Sequence, residues 1–141
     1  MRYKIEDIRY SVLYLTSGNK EGDPVSQDSI LKAKSMTFAK RIVKLYQFET
    51  QEKQEYIMSK QILRSGTSIG ANIAEAIYGS SRKDFAAKLY IAEKECAETL
   101  YWLELLNSCD YIPDNLYQSL AKDCRELLAM LAASIKSCSI T

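Results

Sequence analysis

Along the last quarter of the chain Leu116, Leu120, Cys124, Leu127, Leu131, Ile135 and Cys138 recur at steps of four, four, three, four, four and three residues. That is the spacing of one face of an α-helix. A second stripe of the same kind runs through Phe85, Leu89, Ala92, Cys96, Leu100 and Leu103. Upstream, Leu31, Met36, Phe38, Ala39, Ile42, Val43, Leu45 and Tyr46 spread over about half of a helix circumference, wider than the ~100° stripe of a helix with one packed side. Between these lies Q-I-L-R-S-G-T-S-I-G-A-N-I-A-E-A-I-Y, residues 61–78, with Met58, Ile62, Ile69, Ile73 and Ala76 on one side. Gln61, Arg64, Ser65, Ser68, Asn72 and Glu75 fall on the opposite side, and Gly66, Gly70, Ala71 and Ala74 lie between, so that a neighbouring backbone can approach closely.

The pattern predicts four helices near 29–50, 53–79, 81–109 and 113–138. Asp28 or Ser29 can cap the first, Ser81 with Asp84 resembles a capping box for the third, and Pro113 suits the first turn of the fourth. Short turns force antiparallel neighbours. The expected fold is all-α: an antiparallel up-and-down four-helix bundle over 29–141, preceded by a short N-terminal extension and linker over 1–28. In that extension Tyr3, Ile5, Ile8, Tyr10 and the run 12–15 are apolar, and S-G-N-K-E-G-D-P reads as a loop.

Composition narrows the chemistry. The chain has 141 residues, enough for one domain, and few helix breakers, with two prolines and five glycines. It has no histidine, which removes the commonest general base and metal ligand. Cys96, Cys109, Cys124 and Cys138 form no C-x-x-C pair and read as reduced thiols, of which Cys96, Cys124 and Cys138 fall on apolar helical positions and pack as small hydrophobes. No phosphate-binding loop or metal-ligand spacing is present, so the expectation is a protein that is not an enzyme, with no catalytic residues, cofactor or metal. The charged N-terminus is unlike a secretory leader and no stretch reaches the ~18 apolar residues of a membrane span, so a cytoplasmic protein without a membrane partner is expected.

The net charge of +1 makes no general case for nucleic acid, but its distribution is uneven. Lys34, Lys40, Arg41 and Lys44 fill the polar arc of the first helix, either as its wet face or as a small phosphate-contacting patch. The polar stripe of the second helix carries no lysine in its own arc and reads as a solvated face or, better, as a buried or half-buried seam, in which Arg64 needs a carboxylate such as Glu95 or Glu98. Ile91, Trp102 and Leu105 lie beyond the core stripe of the third helix and form a candidate oligomer interface; Tyr90, Tyr101 and Trp102 read as packing rather than chemistry, and the ten tyrosines as amphipathic surfaces that are partly covered, as in interfaces.

Residues 64–76, R-S-G-T-S-I-G-A-N-I-A-E-A, with S-R-K-D-F at 81–85 and I-A-E-K-E-C-A-E-T-L-Y-W-L at 91–103, resemble the bacterial four-helix-bundle family named for open reading frames in intervening sequences of 23S ribosomal RNA genes. Many members have Gly where this chain has Ala76, and residues 1–28 fall outside the family pattern. The resemblance implies a bundle assembling into a ring-like homopentamer, with signature positions at Arg64, Ser68, Asn72, Glu75, Phe85 and Glu98. It implies no established activity. Gene location links the family to ribosomal RNA, and a related bundle family serves a reverse transcriptase as accessory subunit. Two function classes follow: a homo-oligomeric accessory factor associated with RNA or the ribosome, and a structural adaptor ring that binds a protein partner without nucleic acid.

Overall fold

In the computed structural model of the chain, residues 26–138 are described; of the extension expected over 1–28, residues 1–25 lie outside them, and 26–28 belong to the cap and first turn of the first helix. Four helices follow in order: α1 (Gln27–Gln51), α2 (Met58–Ile77), α3 (Arg82–Ser108) and α4 (Asp114–Cys138), with no strand among the described residues. Each helix packs on its sequence neighbour and α4 returns to α1, which closes an up-and-down bundle. The α1–α4 seam is the thinnest of the four contacts.

The stripes read from the sequence are the core. Ile42, Leu45, Ile62, Ile69, Leu89, Cys96, Leu103, Leu120, Cys124 and Leu131 are fully buried in one cluster. Gly66 lets α1 and α2 meet closely, because a Cβ at that position would lie 2.8 Å from Ile42 Cγ1. Between α2 and α3 the hydroxyls of Ser65 and Thr99 stand 2.9 Å apart, both fully buried. Ser65, placed on the polar side by the helix wheel, therefore belongs to the interior. Its hydroxyl also reaches the Ile62 carbonyl, and Thr99 reaches that of Glu95, so neither group is left without a partner in the core.

Three helix starts follow from side chains. Ser26 caps α1, accepting from Ser29 N–H at 3.2 Å, two or three residues before the expected cap. Ser81 caps α3, accepting from Asp84 N–H at 3.0 Å, while Asp84 reaches back to Ser80 N–H at 3.3 Å. The larger correction concerns α2, expected from Lys53 and found to begin at Met58. Gln54 adopts φ 54°, which breaks the helical path, and Glu55 then turns its carboxylate onto the first free N–H groups. Oε1 accepts from Ile57 and Met58 at 2.9 Å each, and Oε2 accepts from Ser59 at 2.7 Å. At the α3–α4 turn Asp110 has φ 63°, and Asn107 Nδ2 donates to Asp114 Oδ1 at 2.8 Å and to the Ile112 carbonyl at 3.1 Å. Pro113 precedes α4, its carbonyl accepting from Tyr117 N–H.

Candidate functional site

The basic arc of α1 divides. Lys40 is exposed and Lys44 half-buried, as a wet face requires. Arg41 is only 2% exposed and points the other way. Its Nη1 donates to Asp123 Oδ2 at 2.6 Å and its Nη2 to Ser119 Oγ at 2.9 Å, across the α1–α4 seam. Arg41 is therefore committed to α4 and leaves the expected phosphate-contacting patch. Lys34 is exposed but pairs with Glu126 on α4, so its charge is partly answered. Of the four residues, Lys40 and Lys44 keep an outward-facing charge, joined by exposed Lys32.

The polar seam of α2 is half-open. Arg64 bridges to α3, pairing with Glu98 and lying 3.3 Å from Glu95 Oε2, with its side chain about half exposed. Ser68 Oγ donates to the Arg64 carbonyl at 2.6 Å and Asn72 Nδ2 to the Ser68 carbonyl at 2.8 Å, so both satisfy themselves on their own helix. Glu75 is exposed and pairs with Lys88 at 2.9 Å. The signature residues thus form a ladder of polar contacts along the α2–α3 groove, two of them ion pairs between helices. Phe85, the remaining signature position, packs half-buried against the core at the start of α3.

Of the expected interface residues, Ile91 is exposed, whereas Trp102 and Leu105 are half-buried and Trp102 packs on the core cluster. The Trp102 ring meets Tyr101 edge-on, with centroids 5.0 Å apart, and its buried Nε1 has no hydrogen-bond partner. Tyr101 itself is 58% exposed and Tyr90 54%, so neither packs inside the subunit. They belong to an outer stripe of α3, Lys83, Ala87, Tyr90, Lys94, Ala97 and Tyr101, every member exposed and directly opposite the buried stripe. The outer side of α1 carries a stripe of the same spacing: Ser29, Ala33, Met36, Lys40, Val43 and Gln47, with Met36 56% exposed. The signal for both was in the sequence, as steps of four, three, four, three and four residues set half a turn away from the core positions.

The rest of the surface offers less chemistry. At the α1–α2 turn Glu49 is fully buried and both of its carboxyl oxygens lack partners. Burial, then the neighbouring Glu55 carboxylate, pushes its pKa up to about 8 against a smaller opposing pull from Lys53. Burial also pushes Glu55 upward, but the N–H groups of Met58, Ser59 and Ile57 pull harder and hold its carboxyl below the usual carboxylate value. At the other end of the bundle an open cleft of about 430 Å³ is bordered by Gln27, Ile77, Phe85, Ser134 and Cys138. Among the described residues no three of His, Cys, Asp or Glu gather to hold a metal, and no helix is long and apolar enough to cross a membrane.

These features can be set beside known proteins. No functionally curated protein is detectably similar. A crystal structure of a protein of unknown function from the S23 ribosomal protein family of Bacteroides thetaiotaomicron is 53% identical, the match covering 79% of this chain and 99% of that one with a TM-score of 0.78. The family model described as 23S rRNA-intervening sequence protein matches residues 27–133, which is the bundle from the start of α1 into the last turns of α4. By that match and that identity, the chain belongs to the 23S rRNA-intervening sequence protein family.

Proposed function

We propose that the protein is a non-enzymatic, self-assembling scaffold whose ring-like oligomer serves as an accessory factor at ribosomal or other RNA. The observation that carries the self-assembly is the pair of exposed stripes on α1 and α3, helices that face each other diagonally across the bundle and so display apolar side chains on opposite sides. Two different sticky faces on one subunit favour head-to-tail contacts, which close into rings when the rotation allows. The family resemblance supplies the number five and the association with RNA. Light scattering on a sizing column tests the assembly: a mass several times 16.1 kDa is expected at micromolar concentration, and a 16.1 kDa species overturns it.

The adaptor reading gains from one observation. With Arg41 buried against Asp123 and Lys34 paired with Glu126, each subunit has less free positive charge than its sequence promised. The two readings separate by salt. RNA held through phosphate contacts should dissociate steeply as salt rises, whereas a protein partner held by apolar side chains should respond weakly.

A further inference from the structure

The two outer stripes match each other in three respects. Each spans six positions with the same steps and so about 27 Å of helix. Their residues are of complementary size: Met36 and Val43 on α1 can seat between the large Tyr90 and Tyr101 and over the small Ala87 and Ala97 of α3. Knobs and gaps at alternating steps of three and four are what two helices need to interdigitate. Their surrounding charges also differ in sign. The outer side of α1 is flanked by Lys32 and Lys44, with Lys40 inside the stripe, while that of α3, although Lys83 and Lys94 lie in it, is flanked by Glu93 and Glu104 and by Glu98, which also pairs with Arg64.

We infer that the outer stripe of α1 in one copy of the chain packs on the outer stripe of α3 in the next. Met36 and Val43 meet Tyr90 and Tyr101 at its centre, and Lys32 and Lys44 of α1 face the α3 glutamates at its rim. Desolvated aromatic and aliphatic anchors hold the contact, and the rim charges select its register. The pairing rests on the self-assembly proposed above and names its surfaces. It also restricts what else can dock: once α1 and α3 are covered, the α2–α3 groove with Arg64 and the α4 surface are the faces left for any other partner.

The test uses the full chain in two variants, each with one face spoiled. One is Met36→Glu/Val43→Glu on α1 and the other Tyr90→Glu/Tyr101→Glu on α3. All four residues are more than a third exposed, so the bundle keeps its core, and unchanged helical circular dichroism checks this. Each variant alone is expected to run at 16.1 kDa, having lost one half of every contact. Mixed in equal amounts, the two should give a one-to-one complex of twice that mass, because the intact α3 stripe of the first meets the intact α1 stripe of the second. If wild type assembles but either variant keeps wild-type size, the surfaces named here are wrong and the assembly stands. Monomeric variants that fail to combine also overturn the pairing. A wild-type chain that is itself monomeric removes the underlying reading, as does one that assembles only when single-stranded RNA is added and releases it on tyrosine substitution.

Discussion

Arg41 and Asp123 meet across the thinnest seam of the bundle, with Nη1 and Oδ2 2.6 Å apart and the guanidinium all but sealed from solvent. With Ser119 on the same guanidinium and Lys34–Glu126 nearby, this pair is a main polar anchor of that seam. Arg41→Ala is expected to lower stability by about 2–4 kcal/mol, the lower end applying if the part-exposed Asp123 regains water. Urea unfolding measures it. A loss below about 0.5 kcal/mol would mean that the seam closes without the pair.

Arg64 makes the contrasting case. It touches two carboxylates, but its side chain is half exposed. Arg64→Ala should therefore cost only about 0–1 kcal/mol, and that difference should shrink in high salt. A double-mutant cycle with Glu98→Ala at low and high salt gives the coupling directly.

Glu49 predicts an alkaline weakness. The folded chain holds this proton up to about pH 8, whereas the ordinary carboxyl releases it near 4.5, so between those values the folded state binds more protons than the unfolded state. Its contribution is fully present below the lower value and is lost as pH rises towards the upper one, at up to ~1.4 kcal/mol per pH unit. Glu49→Gln stays neutral throughout and should flatten that slope, being the more stable chain in the alkaline range. Urea midpoints collected from about pH 5 to about pH 9 would show it. Equal slopes for both chains would place the ionisation elsewhere.

Glu55 behaves in the opposite sense. Its lowered pKa means that its stabilisation is present above the usual carboxylate value and lost as pH falls through the depressed one. Glu55→Ala removes an acceptor from three N–H groups and should cost about 1–2 kcal/mol, with faster amide exchange confined to the first turn of α2.

Gly66 cannot be enlarged cheaply. A methyl group there would press on Ile42, itself fully buried between the helices, so Gly66→Ala is expected to cost about 1–3 kcal/mol despite the better helix propensity of alanine. Gly70 offers a control on the same helix. Its nearest neighbour would be Ser35 Oγ at 3.2 Å, and the same change should cost less.

How much of this the sequence disclosed depends on the range of the interaction. The apolar stripes of α3 and α4 repeat over a few residues and disclosed two helices and their buried sides. The start of α2 was not legible because 51–55, Q-E-K-Q-E, is a run of good helix formers, and only the capping role of Glu55 overrides that preference. Arg41 was grouped with the lysines because it is basic. Yet successive residues point about 100° apart, so Lys40 and Arg41 cannot share a narrow face. Its true partner lies 82 residues away on α4, where no local pattern announces it. Arg64 points to Glu95 or Glu98, because its own helix offers no carboxylate one turn away, and it meets both.

The thiols in the core have a practical consequence. Cys124 Sγ lies 3.4 Å from the Cys96 carbonyl with both side chains sealed, while Cys109 is open to solvent. The neighbouring Cys124 side chain, and then burial, pushes the Cys96 thiol far above its ordinary ionisation range, leaving almost no reactive thiolate there while α3 and α4 stay together. The molecule thus carries its own stopwatch. Cys109 should react with an alkylating reagent at once, and the delay before Cys96 and Cys124 follow times how often the last two helices part.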